Sequence, residues 1–199
     1  MRLIRPGILL CVVVAACGKK PATTAATPAA QSAATTTPVG IPASVGRYRL
    51  VETRPVNGLP TDTIYRFTDS TKINISVIRY AVPADVKVGS DSSVWLTREG
   101  AKFAALQPIL RQRDVIQAFE IKLQKTASVQ LGSVPVAEHL SIVQTRARYG
   151  VFNELEYLYV IGGRFLKVRI SEPDTGASSS DSPRFARELA RQVLLASRR

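Results

Sequence analysis

The side chains in this sequence that could do chemistry are few, and their spacing decides how they are read. His139 follows Glu138 in "VAEHLSI". A general base needs its carboxylate partner to converge on the ring, but neighbours on a strand point to opposite faces, so Glu138 cannot orient His139. The sequence offers no serine in a strained turn to complete a triad, so His139 is expected to be a surface or hydrogen-bonded histidine. Glu154 and Glu156 share a strand parity, as paired acids would. Arg169, the expected cross-strand partner of Glu156, would depress that carboxyl, the wrong direction for a general acid. "VIGGRFLK" joins two glycines to two cations but lacks the G-x-x-x-x-G-K-[ST] spacing of a phosphate loop. No catalytic residue is expected.

A fourth set is more promising for binding. Arg146 and Arg148 share a parity in one strand candidate, and Lys167 and Arg169 share the polar face of another. With the two strands adjoining and these faces together, the four cations would form a stripe for an anionic envelope component or protein partner, partly neutralised by Glu154 and Glu156. Nucleic acid is not an expected partner, because aromatic residues are not interleaved with the cations as base stacking requires. The chain carries 27 Lys+Arg against 15 Asp+Glu. Four of the positive charges precede residue 21 and residues 21–46 are uncharged, so residues 47–199 hold the remaining excess of about eight.

Cys11 and Cys17 are the only cysteines, and His139 is the only histidine. Residues beyond 20 therefore have no disulfide, no thiolate nucleophile and no Cys-ligated or multi-histidine metal site. No cofactor or metal is expected.

The elements that must position these residues begin with "MRLIRPGILLCVVVAAC". Arg2 and Arg5 supply a positive start, Ile8–Val14 an apolar core, and Ala15-Ala16 a small-residue cleavage region, the three parts of a secretory signal. The uninterrupted apolar stretch Ile8–Cys17 is ten residues, or ~15 Å of helix against the ~30 Å of a hydrocarbon core. A stable membrane span is not expected. Val14-Ala15-Ala16-Cys17 resembles the lipobox of bacterial lipoproteins, an aliphatic residue and two small ones before a cysteine. The resemblance implies cleavage after Ala16, a diacylglycerol thioether on Cys17, and often acylation of the new amino terminus. At ~0.8 kcal/mol per buried methylene, two or three chains make a stable anchor where one would not. By the same resemblance, Gly18 rather than Asp after the cysteine favours sorting to the outer membrane, facing the periplasm, in an organism with two membranes.

Residues 17–45 then read as a tether. "PATTAATPAAQSAATTTPVGIPAS" is uncharged and poor in large apolar side chains, so it cannot offset the entropy of ordering it. Its flexible span is ~25–30 Å.

From residue 46 the pattern changes to one folded domain, 46–199. "RYRLV" alternates, and "TIYRFTDSTKINISVIRY" holds two alternating runs about the turn Asp69-Ser70-Thr71-Lys72. Ser90, Asp91, Ser92 and Ser93 offer caps for a helix containing Val94, Trp95, Phe103 and Leu106. Gly100 weakens that helix, and Pro108 breaks, restarts or kinks it. "AFEIKLQ", "ASVQLGSVPVAEHL" and "SIVQTRARY" are three more strand candidates. In "ELEYLYVIGGRFLKVRIS", Gly162-Gly163 supply a two-residue hairpin turn that pairs Ile161 with Arg164, Tyr159 with Leu166, Tyr157 with Val168 and Leu155 with Ile170 on one apolar face. The opposite face pairs Val160 with Phe165, Leu158 with Lys167, Glu156 with Arg169 and Glu154 with Ser171. A final helix opens at Asp181 or Ser182 with Pro183 behind it, and carries the stripe Phe185, Leu189, Val193 and Leu194. The expected class is α+β, an antiparallel sheet with helices packed on it, one face on the core and the other mostly polar.

This order, with a hairpin "Y-x-Y-V-x-G-G-R-F-x-K-V-R" running into a final "F-x-x-x-L" helix, resembles the PsbP-like/DcrB-like superfamily over roughly residues 48–195. The resemblance implies a sandwich fold and a non-enzymatic binding, assembly or accessory role. The expectation is a monomeric, lipid-anchored envelope protein held to the membrane through Cys17 and acting without catalysis. The alternatives are an envelope hydrolase and a carrier of a small apolar ligand, the latter using a pocket between sheet and helix walled by Trp95, Phe103 and tyrosines.

Overall fold

The computed structural model describes residues 40–56, 59–69, 73–83, 92–175 and 181–198. The leader over 1–16, Cys17, the tether to residue 39, turn residues 70–72 and the caps offered by Ser90 and Asp91 lie outside the described residues. Every described residue belongs to one compact unit, Thr36–Arg199.

That unit is one antiparallel sheet with a helix on each face. Its elements run β1 (Ser44–Val45), β2 (Tyr48–Val56), β3 (Leu59–Thr68), β4 (Asn74–Ala81), α1 (Ser92–Gln112), β5 (Ala118–Leu131), β6 (Val134–Ala147), β7 (Gly150–Ile161), β8 (Arg164–Pro173) and α2 (Asp181–Ala196). The eight strands lie in the order β1-β2-β3-β4-β8-β7-β6-β5. The α+β class expected from the sequence is the one observed.

The β7–β8 hairpin has the expected register throughout, from Ile161 opposite Arg164 to Glu154 opposite Ser171. Gly162 and Gly163 both take positive φ, +58° and +70°, the geometry of the two-residue turn that matches strand twist. The β3–β4 pairing sets Tyr65 opposite Val77 and Phe67 opposite Ile75, and all four are buried. These side chains share a core with Tyr157, Tyr159, Leu166, Val168 and Ile170, and α2 closes it with Phe185, Ala186, Leu189, Ala190 and Val193. The ring of Phe185 meets Tyr48 and Phe67 edge-on, at 5.0 and 5.4 Å between centroids.

Four expectations need correction. Folded structure starts before residue 46: Ile41 and Val45 are each only 2% exposed and join the α2 core, because two aliphatic side chains had an apolar surface to cover. Gly40 is placed beside the end of α2, where a Cβ would lie 3.7 Å from that of Ala196. The three strand candidates over 118–149 are two long strands. Gly132, at φ +69°, turns β5 back onto β6, so residues 127–131 belong to the first strand and 134–147 form one continuous second strand. The helix at 92 runs through Pro108 to Gln112, with the ring on the exposed side. Its inward positions are Leu96, Gly100, Phe103 and Gln107, four residues at helical spacing, whereas Val94 is 65% exposed.

The last correction matters most for function. The mostly polar sheet face does not lie in solvent. α1 crosses it over β5, β6 and β7, and Leu96 packs on Leu158 and Phe165.

Candidate functional site

Because side chains alternate along each strand, the pairings define rows across the face under α1. One row reads Glu52, Arg66, Ser76, Arg169, Glu156, Ser141 and Gln124, from β2 to β5. The next contains Ile78, Lys167, Leu158, His139 and Thr126. Covering these rows with a helix buries charges, and buried charges must be paired.

They are. Arg169 Nε donates to Glu156 Oε2 at 2.7 Å, with Glu156 0% exposed. Lys167 Nζ lies 3.9 Å from Glu156 Oε1 and 3.5 Å from Glu99 Oε1 of α1. The Tyr80 hydroxyl donates to the same Glu99 oxygen at 2.9 Å, and Lys102 pairs with the other. Burial opposes the charge on Glu99, but its bond from Lys102 and the charge of Lys167 outweigh that and hold the carboxyl below its ordinary value. Burial pushes Lys167 down, against the pull of Glu156. The cluster ties α1 to the sheet at its middle.

Beside it, His139 is buried with both ring nitrogens engaged. Nδ1 is 2.8 Å from Thr126 Oγ1 and Nε2 is 3.0 Å from Ser141 Oγ, while Thr126 reaches Thr97 of α1 at 2.7 Å. Burial pushes the imidazole below its ordinary value. The sequence reading overlooked Ser141, although its position two residues along the same strand put it on the His139 face. A serine hydroxyl at 3.0 Å from an imidazole has nucleophile–base geometry. However, a threonine rather than a carboxylate orients the ring, and Ser141 is fully buried. Glu138 points to the other face as expected. There it accepts the Tyr159 hydroxyl at 2.6 Å and both arms of Arg187, at 3.2 and 3.0 Å, fastening α2.

The four cations proposed as a stripe are not brought together. β7 separates β6 from β8. Arg146 is opposite Val151 and shares the parity of Glu138 and Leu140, on the sheet face turned away from α1. Arg148 sits exposed in the turn after β6. Lys167 and Arg169 do share a face, but α1 covers it: Lys167 is 8% exposed, and Arg169 stacks on Phe103 of α1 at 5.1 Å. The physical reason is parity, since an even position on β6 and an odd one on β8 point to opposite sides of this sheet.

What α1 leaves open is a cleft of about 260 Å³ between its second half and the sheet. Phe103, Leu106, Leu110, Val115 and Ile116 form an apolar wall, and Tyr149 and Phe152 stand at the β6–β7 end, their rings 5.5 Å apart. The sheet contributes Glu154, Arg169, Ser171, Asn74 and Thr145. The Ser171 hydroxyl donates to Glu154 Oε1 at 2.7 Å, and burial pushes the Glu154 carboxyl up. Gln107, 1% exposed, donates Nε2 to the Phe103 carbonyl at 3.1 Å, and its Oε1 is buried without a hydrogen-bond partner. Phe103 was expected in such a wall; Trp95 is not part of it and stacks instead with Arg98.

Among the described residues no group of three or more His, Cys, Asp or Glu could hold a metal ion, and no helix is long and apolar enough to cross a membrane. A scan against protein-family models matches none to this chain, and no curated protein is significantly similar to it in sequence.

Proposed function

We propose that this chain is a lipid-anchored protein of the bacterial envelope whose α+β domain is a non-catalytic binding module with a PsbP-like/DcrB-like sandwich. The observation that carries the binding half is the cleft under α1, where an apolar wall faces a small set of hydrogen-bonding groups. That combination is what small-molecule sites use, the wall for affinity and the polar groups for orientation. The anchoring half rests on Val14-Ala15-Ala16-Cys17 directly after an apolar run.

An envelope hydrolase is the competing reading, and the His139–Ser141 pair is the one arrangement that favours it. Both residues are buried, and Gly100 of α1 lies on the ring, which favours a structural role for the pair. Cells fed an alkynyl fatty acid should label the wild-type protein and not Cys17→Ser; label on the variant would remove the anchoring site. A fluorophosphonate probe should leave Ser141 unmodified. Labelling that disappears in Ser141→Ala would replace the binding reading with the hydrolase.

A further inference from the structure

We infer that the α1 cleft takes a small, neutral, largely apolar molecule carrying one hydrogen-bond donor, with its body between Phe103, Leu110 and Phe152 and its donor on Gln107 Oε1. This rests on the reading of the domain as a binding module and specifies what it binds.

The size comes from the cavity. A space of roughly 150 Å³ holds benzene, so 260 Å³ admits a two-ring or short branched body but not a lipid with full-length chains. The need for a donor comes from Gln107. Buried polar atoms in folded proteins are almost always paired. Oε1 of Gln107 is a buried acceptor without a partner, on a side chain whose nitrogen is already held by the Phe103 carbonyl. Gln107 lines the cleft but its Oε1 is closed to solvent, so a ligand N–H or O–H that turns the side chain enough to reach this oxygen would complete it.

Neutrality follows from the charges around the cleft. Arg169 holds Glu156 through Nε at 2.7 Å and lies over the Phe103 ring, while the Glu154 carboxylate on the same wall opposes an incoming anion. A cation would meet Arg169 on the same wall. The opening is compatible with entry of an apolar body, since Tyr149 is 83% and Val115 43% exposed.

The test uses the full chain carrying Cys17→Ser in detergent-free buffer, titrated with N-phenyl-1-naphthylamine, an apolar two-ring amine with a single N–H. Its fluorescence should rise saturably with one site per chain. The N-methyl derivative, which lacks the donor, should bind about tenfold more weakly, the scale of one hydrogen bond to a buried acceptor. Gln107→Leu should erase the difference between the two probes, and Val115→Trp, a surface change at the mouth, should block both. Equal affinity for the two probes in the wild-type chain would overturn the donor rule while leaving a binding cleft, provided Val115→Trp still blocks. Preference for the anionic 8-anilinonaphthalene-1-sulfonate, again blocked by Val115→Trp, would overturn neutrality. Binding that ignores Val115→Trp would overturn the site. Failure of all three probes to bind would overturn the binding reading itself.

Discussion

Gly100 of α1 lies so close to the imidazole of His139 that a Cβ at position 100 would sit 2.1 Å from the ring Cδ2. A glycine that weakens an isolated helix is therefore what lets this helix reach the sheet. Two effects oppose each other in Gly100→Ala. Helix propensity favours alanine by about 1 kcal/mol. Overpacking against a ring held on both nitrogens costs about 1–3 kcal/mol and more when nothing can move. Overpacking wins, and urea unfolding should show a net loss of about 2 kcal/mol. Adding Gly100→Ala to His139→Ala should instead stabilise by about 1 kcal/mol, because the clash is gone and only the helix-propensity gain remains. A stabilised single variant would contradict the contact.

Removing two partners from the buried ion cluster together should cost less than the sum of removing each alone. Lys167→Met leaves Glu156 with Arg169 alone and weakens the hold on Glu99, and should destabilise by about 3 kcal/mol. Lys167→Met with Glu99→Gln should lose less than the sum of the single variants, the signature of direct coupling in a double-mutant cycle.

Glu154 should make the protein less stable as pH rises. Burial lifts its carboxyl above the ordinary value of 4.5, against the Ser171 bond and the Arg169 charge. The native state then holds more protons than the unfolded chain, and stability falls from about pH 4.5 upward through the raised value. Glu154→Gln keeps an acceptor for Ser171 and removes the ionisation. Its melting temperature should exceed wild type at pH 7 by about 2–4 °C, and the gain should vanish near pH 4.

His139 acts in the other sense. Its ring is pushed below 6.5 by burial, so the unfolded chain takes up protons first and stability is lost as pH falls below 6.5. The imidazole resonances of the folded protein should titrate at lower pH than those of the urea-unfolded chain. A folded ring titrating at or above 6.5 would contradict its burial.

The β7–β8 hairpin was legible because Gly162-Gly163 admit one turn, and that turn sets every pair from Ile161–Arg164 to Glu154–Ser171. The α2 stripe was legible for a similar reason, as Phe185, Leu189 and Val193 repeat on an otherwise charged helix. The candidate site was hidden because it breaks the usual pattern on both partners. Glu156, Lys167, His139 and Ser141 read as a solvent face, and the surface that covers them, Leu96, Gly100, Phe103 and Gln107, is half non-apolar. Periodicity detects oil meeting oil; it is blind to a polar helix face meeting a polar sheet face. Gln107 gave no signal at all, since an exposed and a buried glutamine look alike until the fold closes over one. The β5–β6 turn was missed because Gly132-Ser133 lies between apolar residues in a run that reads as one continuous strand.

The placement of Gly40 against Ala196 has a consequence for the architecture of the chain as a whole. Entry and exit of the domain meet at one point, so the path from β1 to α2 is nearly a closed loop. A short bridge from residue 198 to residue 40, with new ends opened in the exposed β5–β6 turn, would preserve every strand neighbour. The order in which the chain is read is thus separable from the shape it builds.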